Sequence, residues 1–147
     1  MHRGLISTGS KEATQAASDI LKLGGNAFDA AICAVMTSMT SEVNLTSMAG
    51  GGAMMAYKNG EKPILFDFFV DAPNLKNKSS FEFYRTDIDF GDTIQSFHIG
   101  KGSVAIPGNV KGLLHIHKRL GKIPFKVISE PAIEIAKKGV KLSKSQS

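Results

Sequence analysis

Gly24-Gly25-Asn26-Ala27-Phe28-Asp29-Ala30-Ala31-Ile32-Cys33-Ala34-Val35-Met36 is the stretch on which the fold turns. The glycine pair closes one helix and frees the chain to start another. Asn26 is suited to cap that second helix, expected over 26–40, and Asp29, three residues on, sits near its positive end. From Ala30 to Met36 every side is apolar, so this helix should be buried all round. Upstream, Ser10 is placed as an N-cap, and Ala13, Ala16, Ala17, Ile20 and Leu21 follow at helical spacing on one face. A short strand over about 4–8 is expected to lead into it.

Downstream, Gly50-Gly51-Gly52 opens the run Ala53-Met54-Met55-Ala56-Tyr57, and Lys58-Asn59-Gly60-Glu61 separates it from Pro63-Ile64-Leu65-Phe66-Asp67-Phe68-Phe69. Two apolar runs joined by Asn-Gly predict a β-hairpin, because such turns need positive φ, which these residues tolerate. Ala72-Pro73 ends it. Residues 74–102, rich in Asn, Ser, Lys and Gly but carrying Phe81, Phe83, Tyr84, Phe90 and Phe97, read as an irregular but ordered excursion packed on the body. Ser103 to Ile106 reads as a strand stopped by Pro107-Gly108. The next helix has Val110, Leu113, Leu114 and His117 on one stripe and is closed by Gly121. Pro124 and Pro131 punctuate a final helical stretch whose Ala132, Ile133, Ile135 and Ala136 lead to a stop at Gly139. Helices flanking a small antiparallel sheet make this an α+β chain.

Composition bounds the partners. The chain has 147 residues, 42% hydrophobic and 21% charged, which is globular usage for one domain and excludes a disordered tail. Cys33, the lone cysteine, forms no internal disulfide and offers no thiolate cluster to a metal. No apolar run of about 18 residues occurs and Met1-His2-Arg3-Gly4 lacks the apolar core of a secretory signal, so the expectation is a cytoplasmic protein with no membrane partner. Residues 111–147 hold nine Lys or Arg against Glu130 and Glu134, whereas residues 1–110 hold nine against eleven acids. That basic end could meet an acidic surface or nucleic acid, but it carries no interleaved aromatics or reading motif, which disfavours nucleic acid.

Few residues carry chemistry by themselves. Cys33 lies inside an apolar run, where a thiol is core rather than nucleophile. His115 and His117 are two apart on a helix and face different ways, so they cannot share a metal, and no metal or cofactor is expected. His117 reads as a core-edge histidine satisfied by a hydrogen bond. The glycine run lacks the Lys-Ser/Thr ending of a phosphate loop and opens a strand, which favours close backbone approach. Asp67 and Asp71 could orient a substrate amine, or Asp71 could merely start a turn. No triad or carboxylate pair emerges.

Taken in order, Gly24 to Ala31, the glycine run before Met54-Met55-Ala56-Tyr57, Asp67 through Ala72-Pro73, Val104-Ala105-Ile106-Pro107-Gly108 with Gly112-Leu113-Leu114, His117-Lys118-Arg119, and Glu130-Pro131-Ala132-Ile133 with Gly139 resemble the start of the γ-glutamyltransferase family. The match runs from about residue 4 to residue 143. The resemblance implies the N-terminal portion of the large subunit of an αββα N-terminal nucleophile hydrolase, an incomplete domain made as a self-cleaving precursor. Its nucleophile is a threonine exposed at the start of the small subunit, which transfers a γ-glutamyl or related acyl group from a small-molecule amide to water or an amine. By that reading this chain holds no catalytic nucleophile and acts as scaffold and pocket wall. Its implied partner is the C-terminal remainder or small subunit, with a homo-oligomer possible. The family usually has an arginine three residues before the Ala-Pro, to grip the donor's α-carboxylate. Here that residue is Phe69, as in a divergent branch. Either the donor end is apolar, or Arg85 or Lys76 from the excursion holds a carboxylate. The competing reading is a non-enzymatic, truncated relative that docks another protein through the apolar helix 26–40.

Overall fold

The computed structural model describes residues 4–73, 82–142 and 146. Helix α1 (Lys11–Lys22) begins where Ser10 Oγ accepts from the Ala13 amide at 3.2 Å, and it buries Ala13, Ala16, Ala17 and Ile20. Helix α2 (Ala27–Ser41) begins with a reciprocal cap: the Asn26 side chain accepts from the Asp29 amide, and the Asp29 carboxylate accepts from the Asn26 amide, each at 2.9 Å. Packed against α1, α3 (Asn109–Leu120) and α4 (Phe125–Lys138), it buries Ile32, Cys33, Ala34 and Met39. The predicted all-round burial is met only in part: Ala31, Val35 and Met36 are half-buried, and a cavity of about 590 Å³ runs along Ala30, Ala31, Ala34 and Val35.

Strands β1 (Gly52–Ala56) and β2 (Ile64–Phe68) form the predicted hairpin. Met54 faces Phe66 on the helix side, while Met55 pairs with Leu65 on the outer side. The connection spans residues 57–63, and Gly60 alone in it takes positive φ, +81°, so its tip is closed by the Glu61 amide donating to the Lys58 carbonyl at 2.9 Å.

Several expectations are corrected. Residues 4–8 take no regular structure and pair with no strand among the described residues, and Leu5 is fully exposed; an isolated strand gains neither ladder bonds nor burial. In place of an irregular excursion, residues 84–99 form a second hairpin, β3 (Tyr84–Asp89) with β4 (Ile94–Ile99). It forms because Gly91, at φ +92°, and Asp92 make a two-residue turn closed by the Phe90 amide on the Thr93 carbonyl at 2.9 Å. Nor is it packed on the body: Tyr84, Phe90 and Ile94 are each more than half exposed. Residues 74–81, including Lys76 and Phe81, lie outside the described residues. The expected strand at 103–106 is a short 3₁₀ turn over Lys101–Ser103 and a single backbone bridge from Ile106 to Asp71.

On α3 the buried stripe is Asn109, Leu113 and Ile116, while Val110 and Leu114 are nearly half exposed. The helix is rotated that way because Asn109 is drawn inward to the Ser47 carbonyl and Gly112 lies against the Phe68 ring. Helix α4 runs through Pro131. Losing one ladder bond there is offset by packing of Ile128, Ser129 and Ala132 against α2, leaving Ile133 outward. No helix among the described residues is long and apolar enough to cross a membrane.

Asp29 ties these pieces together. Its fully buried carboxylate also accepts from the Lys122 amide, 3.0 and 3.2 Å from its two oxygens, while Asn26 Nδ2 donates to the Leu120 carbonyl at 2.7 Å. Asp29→Ala leaves two amides without their acceptor and is expected to lose about 3 kcal/mol; Asp29→Asn, which keeps one carbonyl oxygen, loses less. Urea unfolding midpoints check this order.

Candidate active site

The corner that follows β2 is built from backbone packed on backbone. A side chain on Gly51 would collide with the backbone of Phe69 and Val70, and one on Gly108 with the Phe68 carbonyl. Only glycine lets the start of β1, the end of β2 and the start of α3 meet this closely. Hydrogen bonds lock the junction. The amides of Gly108 and Asn109 both donate to the Gly50 carbonyl at 3.0 Å, and the buried Asn109 donates from Nδ2 to the Ser47 carbonyl at 2.7 Å. Across the corner Asp71 and Ile106 exchange backbone bonds of 3.2 and 2.7 Å. The glycine run thus serves close approach, as its sequence suggested.

This frame holds Phe69 in place just past the end of β2 and leaves it 68% exposed. Asp67 Oδ1 accepts from the Phe69 amide at 3.0 Å, and Asp71 Oδ1 from the Ala72 amide at 2.8 Å. Both carboxylates therefore shape the turn around Phe69. Asn109 and the Gly108/Gly112 pair were missed as framing residues, although glycines four apart on a helix mark a face that accepts a bulky neighbour.

Arg85 is not brought to this corner. It stands on β3 in the other sheet, where Nε and Nη2 donate to the Asp87 carboxylate at 2.9 and 3.3 Å. Arg85 first, then the Ser96 hydroxyl at 2.6 Å, hold the Asp87 carboxyl below the usual range. His117 does sit at the core edge: Nε2 donates to the Ile123 carbonyl at 2.8 Å, with the ring edge-on to Phe125. His115 turns the other way, against Phe66. Cys33 is plain core, and burial pushes its thiol up to about 11. What the corner offers chemically is a rigid wall ending in an exposed aromatic ring.

Comparison with known proteins supplies the rest. The profile of the gamma-glutamyltranspeptidase family matches residues 13–147. The chain belongs to that family. Among its relatives, a glutathione hydrolase proenzyme of Pseudomonas aeruginosa is 34% identical over 144 residues, covering 97% of this chain and 25% of that protein. An acylase ACY 1 proenzyme of Pseudomonas sp. is 29% identical over 139 residues, covering 93% and 25%. A solved gamma-glutamyltranspeptidase from Pseudomonas nitroreducens superposes with a TM-score of 0.77 at 28% identity, over 99% of this chain and 42% of that one. The Bacillus anthracis transpeptidase CapD gives 0.73 at 27%, over 97% and 42%. This chain therefore spans about a quarter of the length of these curated relatives, and its fold is that of the N-terminal portion of the family's nucleophile-hydrolase architecture.

The Cys33 thiol yields a pH prediction. A folded-state pKa raised from 9.0 to about 11 contributes stability that is complete below pH 9 and is lost as pH rises towards 11, because only the unfolded chain ionises in that window. Unfolding midpoints should fall across it, and Cys33→Ser should flatten the fall.

Proposed function

We propose that this chain forms the opening part of an acyl-transferring hydrolase of γ-glutamyltransferase type. An N-terminal threonine, supplied by the remainder of the protein, attacks the carbonyl of a γ-glutamyl or related amide. The threonine's own α-amine takes the hydroxyl proton and passes it to the departing amine. The resulting acyl ester is then attacked by water or an acceptor amine, which restores the threonine. The residues described above build the wall and scaffold of that site. The observation that carries this reading is the family match along residues 13–147.

The open surface supports it. Among the described residues both sheets have only two strands, and Met55 and Leu65 on the outer face of the first, with Phe69 just past its end, are each at least 60% exposed. A sheet with helices on one face only and an apolar outer face is suited to receive a second sheet. Several relatives bear the name proenzyme, which suits a chain processed to release its nucleophile. We place the protein in the cytoplasm on its single, buried cysteine.

Phe69 narrows the donor. An aromatic ring gives no charge or hydrogen bond to an α-carboxylate, and Arg85 is already engaged by Asp87. The donor end beside Phe69 is apolar, or its carboxylate is held by Lys76, which lies outside the described residues; Phe69 itself gives a γ-glutamyl donor no charge partner. Mass spectrometry of the protein purified from cells should find a companion chain beginning with threonine. Hydrolysis of γ-glutamyl anilide by residues 1–147 alone would overturn the assignment. Phe69→Arg in the whole protein should lower KM for α-carboxylate donors roughly tenfold or more, since a buried charge pairing is worth about 2–5 kcal/mol. An unchanged KM would remove Phe69 from the donor site.

A further inference from the structure

The tip of the first hairpin carries a reactive pair. Of the asparagines in the sequence, Asn59 alone is followed by glycine. Asn59 and Gly60 are both exposed, and they fill the two central positions of the turn that the Glu61 amide closes on the Lys58 carbonyl. With Gly60 at φ +81° and Asn59 outside the left-handed region, the turn is type II. Among the described residues the Gly60 amide donates to no acceptor and the Asn59 carboxamide has no hydrogen-bond partner. A Cβ placed on Gly60 would meet nothing within 4 Å, so the space around this amide is open.

The other described asparagines are held. Asn26 caps α2 and donates to the Leu120 carbonyl, Asn44 Nδ2 donates to the Gln146 carbonyl at 3.2 Å, and Asn109 is buried at the start of α3. Each also precedes a residue with a side chain, Ala27, Leu45 or Val110. A Cβ there crowds a backbone nitrogen that approaches the preceding carboxamide, and glycine removes that obstacle.

We infer that Asn59 is a site of spontaneous deamidation. The Gly60 backbone nitrogen gives up its proton and attacks Cγ of Asn59; the new C–N bond closes a five-membered succinimide, and the carboxamide nitrogen leaves as ammonia. Water then opens the ring at either carbonyl. The products are aspartate and isoaspartate, the latter carrying the chain through the former side chain with one more methylene, and the sum is one water taken up for one ammonia released. Residues 57–63 hold Lys58 and Lys62 against Glu61, so the new carboxylate takes the tip from one net positive charge to none. The rungs from Ala56↔Ile64 to Gly52↔Phe68 stand between the tip and Phe69. The change therefore marks the outer end of the hairpin and leaves the corner intact.

Attack on Cγ requires the turn to open, and what resists opening is one neutral hydrogen bond and the exposed Lys58–Glu61 ion pair. The measurement is ageing of the whole protein at mildly alkaline pH beside a synthetic peptide of residues 57–62. Isoaspartate at position 59, located by mass spectrometry of the digest and by methyl transfer from an isoaspartyl methyltransferase, should accumulate in the folded protein within about tenfold of the peptide's rate, since so few weak contacts close the turn. Asn59→Gln, whose ring would need six members and closes more slowly, should remove that signal with circular dichroism unchanged. An Asn59 still intact in the folded protein when most of the peptide has converted would overturn the proposal, as would a methyl signal undiminished in Asn59→Gln.

Discussion

A buried carboxylate governs this structure. Asp29 is inaccessible to solvent, and its oxygens are met by the amides of Asn26 and Lys122, with His117 Nε2 at 4.0 Å. An ionised acid without such partners is too expensive to bury, whereas one receiving several amide donors is stable there. The start of α2 is thereby fixed to the turn between α3 and α4. From α3 the constraint runs outward: Gly108 and Asn109 hold Gly50, Gly51 rests on Phe69 and Val70, and Phe69 faces solvent. A cap near the chain's beginning and a presented ring in its middle belong to one mechanical path.

Much of this was readable in advance. The caps at Ser10 and Asn26, the burial of Ala30, Ile32, Cys33 and Ala34 within the apolar run, the first hairpin and the glycine-backed corner follow from local chemistry that the tertiary structure leaves alone. The failures have physical causes as well. The rotation of α3 depends on Asn109 reaching a carbonyl 62 residues earlier, which no periodicity records. The second hairpin was hidden because its apolar face covers no core, so aromatic content suggested packing, although Gly91-Asp92 was a legible turn signal. Pro131 marked a break only while the packing of α4 on α2 was unknown. Of the site, Phe69 was located by resemblance, Arg85 was one of the open candidates for a carboxylate partner and stands on β3 paired with Asp87, and the framing by Asn109 could not be seen without the fold.

The two sheets differ in kind. The first has a helical backing and one bare apolar face, and the second has neither face covered. Apolar side chains are exposed on both, at Met55 and Leu65 on the first and at Tyr84 and Ile88 on the second, while the contacts that fix the first hairpin use backbone and glycine. Rigidity is thus separated from recognition. Side chains at Phe69, Leu65 or Met55 can change without disturbing the hydrogen bonds that hold the corner.

The bond from Lys122 to Asp29 spans 93 residues, and this sets an order of events during synthesis. Helices α1 and α2 can form as soon as they leave the ribosome, but the Asp29 carboxylate keeps water as its partner until residue 122 has also emerged. At ordinary elongation speeds of about 5–20 residues per second, the first helical pair waits several seconds with the apolar flank of α2 uncovered. Codon changes that slow translation between positions 42 and 122 lengthen that exposure.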